Sequence, residues 1–196
     1  MGRDTLTVQT AKPAVFFDRD GVLNEAIVRN GRPYPPGDLS ELVITFGARA
    51  ALEELKREGF LLIITTNQPD VARGNANRTD VDKINAQLAA ILPLDAIEVC
   101  EHDDKEQCDC RKPKPGMILR AREKLGVELA GSFVVGDRWR DIEAGRRAGC
   151  RTILVGDGYG ESFPYAPTIR LASLYGATSW IIQQSRVDRG SHENTQ

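Results

Sequence analysis

Short apolar runs that each end on a polar residue, with helical periodicity between them, constrain this chain more than any other feature. The runs are Ala14–Phe17, Phe60–Ile64, Ala96–Val99, Ser132–Val135 and Thr152–Val155. Each is too short for a helix and rich in β-branched or aromatic residues, so each reads as a buried strand. Between them, Ala48–Glu58 carries Ala51, Leu52 and Leu55 at helical spacing, with Gly59 behind it as the terminator. Thr79 and Asp82 open a second helix that runs to about Leu92 in the manner of a capping box. Pro115 stands as the first residue of a third helix over 116–125, and Asp141–Ala148 forms a fourth that closes at Gly149. Residues 168–184 supply a last short strand and helix. This alternation predicts an α/β fold with a doubly wound, mainly parallel sheet and helices on both faces. Residues 1–12 read as a loose lead-in, 13–185 as one domain, and 186–196 as a disordered tail.

A chain of 196 residues is long enough for one domain with its own core. Its formal net charge of −2 supplies no basic field for nucleic acid or an anionic membrane. No apolar run approaches the ~20 residues of a membrane span, and the N-terminus MGRDTLTVQTAKP lacks the apolar stretch of a secretory signal. A cytoplasmic monomer is the expectation. Four cysteines in that setting point to metal or chemistry before disulfides.

Polar chemistry gathers at the strand ends. The first run stops at Asp18-Arg19-Asp20-Gly21, two carboxylates at i and i+2 with a glycine for the turn. In open parallel sheets, ligands sit beyond the carboxyl ends of the strands, so both acids face a crevice. Crowded carboxylates there need a cation, and oxygen ligands suit Mg²⁺. The second run ends in Thr66-Asn67, and the fourth in Gly136-Asp137 with Asp141 close behind. Lys112 sits in the loop before a helix. Together these supply a nucleophile, a second acid, hydroxyl and amide donors, and a fixed ammonium, the set that phosphoryl transfer requires.

The motifs DRDGVLN, TTNQ, the first lysine of RKPKPG, and GDRWRD resemble, in that order, the four motifs of the haloacid dehalogenase superfamily of phosphatases. The resemblance covers roughly residues 14–155. It implies that Asp18 attacks phosphorus to form an aspartyl-phosphate, and that Asp20 protonates the leaving oxygen and then deprotonates water. Thr66 and Asn67 would hold the phosphoryl group and Lys112 would offset its charge. Mg²⁺ would bind Asp18, Asp137 and the main-chain carbonyl of Asp20, with Arg138 and Asp141 as supporting groups behind the ligands. An acid at Asp20 favours phosphatase over dehalogenase chemistry.

A second constellation is Cys100-x-His102-x₅-Cys108-x-Cys110. Three thiolates and one imidazole within eleven residues match a closed tetrahedral zinc site, a staple for the loop and not a catalytic metal. Cys150, between a helix end and a strand, reads as a core thiol. The zinc loop and the run NQPDVARG resemble the subfamily of D-glycero-D-manno-heptose 1,7-bisphosphate phosphatases and their histidinol-phosphatase relatives. That resemblance implies hydrolysis of the 7-phosphate of a heptose bisphosphate, a precursor of cell-surface glycans. Asp70, Glu101, Asp103 and Arg138 depart from the usual residues of that subfamily.

Only about 45 residues separate Asp20 from Thr66, and as many separate Thr66 from Lys112, so no cap domain fits. Loops 24–40, 68–78 and 100–114 must shape the pocket. They carry Arg29, Arg32, Arg73, Arg78, Arg111 and Lys114, more cation than one phosphate requires. Arg29, Arg78 and Lys114 fit solvated surface charge, while Arg73 and Arg111 are placed to grip the phosphate that is not cleaved. A histidinol-phosphate phosphatase, or a catalytically silent zinc-stapled binding module, are the alternatives.

Overall fold

The computed structural model describes residues 11–193. Strand β1 (Lys12–Phe17) leads into a hairpin, β2 (Ile27–Arg29) and β3 (Arg32–Tyr34), and then into α1 (Ala48–Arg57) and β4 (Leu61–Asn67). The short α2 (Pro69–Ala72), α3 (Arg78–Ile91), β5 (Ala96–Cys100), α4 (Gly116–Leu125) and β6 (Val127–Gly136) follow. The described chain closes with α5 (Trp139–Ala148), β7 (Arg151–Val155), β8 (Ile169–Leu171) and α6 (Leu174–Glu193).

Six strands form one sheet in the order β5-β4-β1-β6-β7-β8, and every neighbouring pair is parallel. The chain winds outward from β1 in one direction, then returns to the centre and winds outward in the other. The switch point lies between β1 and β6, where the strand ends open a crevice. Asp18 is the first residue past β1 and Asp137 the first past β6, so the two carboxylates share that crevice.

The period-two alternation of β1 decides how the layers form. Val15 and Phe17 point into a core completed by Leu52 and Leu55 of α1, Ile84 and Leu88 of α3, and Ala177 and Ile181 of α6. Ala14 and Phe16 point the other way, onto Ile118 and Ala121 of α4 and Ala144 of α5. All four β1 side chains are fully buried, which is why this strand reads as a continuous apolar run and not as an alternating one. Truncating Phe16 or Phe17 to alanine would cost about 3–5 kcal/mol by leaving a void in such a core.

Several boundaries differ from the sequence reading. The segment expected as a loop over 24–40 contains the β2–β3 hairpin, with Asn30 and Gly31 at φ 51° and 73° as its two-residue turn. Helix α3 begins at Arg78 because the Asn77 side chain accepts from the Thr79 N–H at 2.9 Å, so Asn77 is the cap and Thr79 is not. Pro115 caps α4 from outside, with Gly116 as the first helical residue. The tail expected to be disordered from 186 is helical through Glu193. Two of its arginines, Arg186 and Arg189, each reach Glu58 at 2.5 Å, so long-range partners hold a polar segment that has no apolar periodicity of its own. At the other end, Lys12 already belongs to β1; residues 1–10 and 194–196 of the expected lead-in and tail lie outside the described residues. Among the described residues, no helix is long and apolar enough to cross a membrane.

Candidate active site

The ends of β1, β4 and β6 and the loop before α4 deliver side chains to one spot. Lys112 Nζ lies 2.9 Å from Asp18 Oδ1 and 2.5 Å from Asp141 Oδ1, and donates to the Thr65 carbonyl at 2.7 Å. Its backbone is latched to β4, because Asn67 Nδ2 donates to the Lys112 carbonyl at 3.0 Å and the Lys112 N–H donates to Asn67 Oδ1 at 3.1 Å. The Arg19 N–H donates to Asp18 Oδ1 at 2.8 Å, while Asp18 Oδ2 takes part in neither contact. Asp141 also accepts from the Arg138 N–H at 3.1 Å, closing the first turn of α5.

Asp18, Asp137 and Asp141 each bring a carboxylate oxygen within 4.8 Å of the others. Both Asp137 oxygens are buried without a hydrogen-bond partner of good geometry, although the Tyr159 hydroxyl stands beside them. Burial pushes Asp137 well above the ordinary carboxylate range, and the charges of Asp18 and Asp141 push it further. Asp18 is pushed up to about 6 by burial, against the opposing pull of Lys112. Burial works against the Lys112 ammonium, but Asp141 and Asp18 outweigh it and hold Lys112 above the usual lysine range. Three carboxyl groups crowd one ammonium, and Asp137 has lone pairs to give. A divalent, oxygen-seeking cation fits that donor set. Glycines make the crowding possible: a Cβ on Gly21, at φ 94°, would meet Asp137 Oδ2 at 1.9 Å, and one on Gly136 would meet Asp141 Cβ at 2.1 Å.

Two connected cavities rise from this floor. An inner one of about 80 Å³ is lined by Asp18, Asp20, Asn67 and Lys112. An outer one of about 570 Å³ shares Pro33, Tyr34 and Pro35 of the hairpin as its roof. Arg32, Arg73, Arg111, Arg138 and Arg140 line the outer cavity. Only Asp70, Asp104 and Glu161 oppose them there, so the wall carries surplus positive charge. Arg29, Arg78 and Lys114 are elsewhere: Arg29 stacks on Tyr34, Arg78 pairs with Glu101 at 2.9 Å, and Lys114 donates to the Cys108 carbonyl at 2.8 Å.

The arginines are engaged by acids. Arg73 meets Asp103 at 2.7 Å and Asp70 at 3.4 Å, and Arg111 meets Asp104 at 2.8 Å with Nη1 buried and unpartnered. Arg140, which the sequence reading did not single out, reaches the same Asp104 at 3.3 Å. Arg138 binds Glu161 through Nε at 3.0 Å and again through Nη2, which ties loop 156–163 to the start of α5. All four residues that depart from the subfamily pattern, Asp70, Glu101, Asp103 and Arg138, therefore make ion pairs.

The cysteine cluster is assembled. Cys110 Sγ lies 3.2 Å from Cys100 Sγ, 3.4 Å from Cys108 Sγ and 3.3 Å from His102 Nδ1. Cys100 Sγ is 3.6 Å from His102 Nδ1 and 3.7 Å from Cys108 Sγ. Donors about 2.3 Å from a central Zn²⁺ stand about 3.8 Å apart at tetrahedral angles, so this set fits zinc after slight expansion. Cys150 is separate, buried in the core, and its thiol is pushed up to about 12 by that burial.

Residues 109–175 match the HAD-hydrolase-like family model. A D-glycero-beta-D-manno-heptose-1,7-bisphosphate 7-phosphatase of Vibrio cholerae is 40% identical over 161 residues, covering 76% of this chain and 83% of that protein. Its namesake from Escherichia coli K12 is 35% identical over 159 residues, covering 74% and 80%. Among solved structures, the D,D-heptose 1,7-bisphosphate phosphatase from B. bronchiseptica, complexed with magnesium and phosphate, superposes with a TM-score of 0.74. It is 29% identical, and the match covers 88% of this chain and 99% of that one. A silent binding module is thereby set aside. The chain is a phosphoric monoester hydrolase of the haloacid dehalogenase superfamily, and it belongs to the family of heptose-bisphosphate phosphatases.

Proposed function

We propose that the enzyme removes the 7-phosphate of D-glycero-D-manno-heptose 1,7-bisphosphate with the help of Mg²⁺. The observation that carries this reading is the convergence of Asp18, Lys112, Asp137 and Asp141 beneath a cavity with surplus arginine charge. A bisphosphate offers one phosphoryl group to that floor and a second anion to the arginine wall. In this reading Asp18 attacks phosphorus, the bond from phosphorus to the sugar oxygen breaks, and Asp20 gives that oxygen its proton. Asp20 then takes a proton from water, whose oxygen attacks the aspartyl-phosphate and frees phosphate and Asp18. Thr66 and Asn67 orient the phosphoryl oxygens, and the Lys112 ammonium offsets their charge. Asp18 and Asp137, with the Asp20 carbonyl, would hold Mg²⁺, while Arg138 and Asp141 fix the surrounding loop; the metal when bound neutralises negative charge at the reacting group. Cys100, His102, Cys108 and Cys110 would hold Zn²⁺ and keep the segment carrying Lys112 and Arg111 in place. Arg73 and Arg111 bind the retained phosphate.

Phosphate release from the heptose bisphosphate, sugar monophosphates and histidinol phosphate, with and without Mg²⁺, tests this. The bisphosphate is expected to be hydrolysed best, with activity lost in EDTA and in Asp18→Asn. Preference for histidinol phosphate would replace the substrate, and full activity in Asp18→Asn would overturn the mechanism.

A further inference from the structure

Gln68 belongs to none of the roles above, yet it is 2% exposed and sits against the proposed acid. The Asp20 carboxylate receives three donors. Arg19 Nε and Asn24 Nδ2 both reach Oδ1 at 3.0 Å, and among the described residues Gln68 Nε2 reaches Oδ2 at 2.8 Å. Donors on both oxygens hold the plane of the carboxylate, and the donor on the Oδ2 side is Gln68. The amide orientation is settled by chemistry, since a carboxylate facing Gln68 needs N–H and would repel the carbonyl end. The same nitrogen uses its second hydrogen on Thr66 Oγ1 at 2.8 Å. Thr66 thus accepts from Gln68 and keeps its own hydroxyl proton for the crevice.

The backbone of Gln68 is anchored as well. Its N–H donates to the Cys100 carbonyl at 2.7 Å, at the end of β5 where the cysteine cluster begins. Arg19 is itself fully buried, with Nη1 on Asn85 Oδ1 at 2.8 Å, so the opposite side of Asp20 is braced by α3.

We propose that Gln68 is a positioning residue that sets the orientation of Asp20 for proton delivery to the leaving oxygen. The inference rests on the acid role of Asp20 given above. It makes the consequence of losing Gln68 depend on the leaving group. A sugar alkoxide needs a proton as it departs, whereas 2,4-dinitrophenolate leaves without one. A residue that merely fills space or steadies the loop would affect both equally.

The test measures kcat/KM of Gln68→Met, which keeps length and volume but removes both donors, on the heptose bisphosphate and on 2,4-dinitrophenyl phosphate. The expected fall is about 10–100-fold on the sugar substrate, the scale of a misplaced catalytic group, and at least about fivefold less on the aryl ester, which registers only the lost contact to Thr66. If Gln68→Met does not fold, Gln68→Glu replaces the donor by an acceptor at the same length and carries the same comparison. Asp20→Asn is measured beside it. A split in Asp20→Asn with equal losses or no losses at Gln68 overturns the positioning role alone. Absence of a split in Asp20→Asn overturns the acid assignment, and the positioning role with it.

Discussion

Asn67 and Lys112, 45 positions apart, are joined by a pair of hydrogen bonds between a side-chain amide and the main-chain N–H and C=O of one residue, which close a ring. That ring aims the Lys112 ammonium at Asp18, because the loop carrying Lys112 has no strand partner at this point. Asn67→Ala removes both bonds. Kcat/KM is expected to fall by about 1.5–3 kcal/mol as the ammonium loses its aim, and the two lost bonds are expected to lower the unfolding temperature by a few degrees. Steady-state kinetics beside a thermal melt checks this; a large loss of stability with unchanged kinetics would contradict it.

Asp137 trades stability for chemistry. Its carboxyl is buried and crowded by Asp18 and Asp141, with the Tyr159 hydroxyl beside it, so in metal-free protein Asp137→Asn is expected to raise stability by about 1–2 kcal/mol, or roughly 2–8 °C, while abolishing Mg²⁺-dependent turnover. The sign of the pH dependence follows from the raised values. Asp18 goes from 3.8 to about 6 on folding, so its protonated form favours the fold, and that contribution is full below pH 4 and lost as pH rises through 6. Asp137 shifts in the same direction. Melting curves of EDTA-treated protein between pH 4 and 8 should therefore show a falling contribution from this site, which added Mg²⁺ reverses. A melt insensitive to Mg²⁺ at pH 8 would count against the metal assignment.

One equivalent of zinc is expected to co-purify, and Cys108→Ser or Cys110→Ser should lose it. Removing it leaves thiols and an imidazole 3.2–3.7 Å apart with no central charge, and frees the ends of a loop whose far side carries Arg111 and Lys112. Elemental analysis, melting and kinetics together decide: zinc loss with unchanged melting and turnover would refute a staple.

Arg73 selects substrate in this reading, although Asp103 and Asp70 already engage it. The Arg73–Asp103 pair holds Asp103 down to about 2 and preorganises the guanidinium toward the cavity. Arg73→Ala is expected to lower kcat/KM for the bisphosphate by about 1.5–3 kcal/mol and for a small monophosphate ester far less. Equal losses on both would assign Arg73 to loop structure instead.

The strand ends were legible because the apolar runs through Phe17, Ile64 and Val135 stop at residues that only chemistry or a turn explains. The four zinc-spaced residues were legible for the same reason, since their spacing is local. What escaped was relational. Gln68 and Arg140 look like ordinary polar residues until Asp20 and Asp104, 48 and 36 positions away, are brought to them. The hairpin escaped because Val28 and Arg29 are exposed, so no alternation betrays its strands, although Asn30-Gly31 was a fair turn signal. The helical tail escaped because Glu58, its anchor, lies more than a hundred positions upstream.

Between β1 and β4 the described chain adds only a small hairpin, a 3₁₀ turn and one helix, so Pro33, Tyr34 and Pro35 form an eave over the crevice. Substrate capture runs past that overhang. It depends on how strongly the arginine wall draws dianions through solution, so association slows as ionic strength rises. The same wall is expected to draw released phosphate back, so inorganic phosphate should compete with substrate in steady-state kinetics.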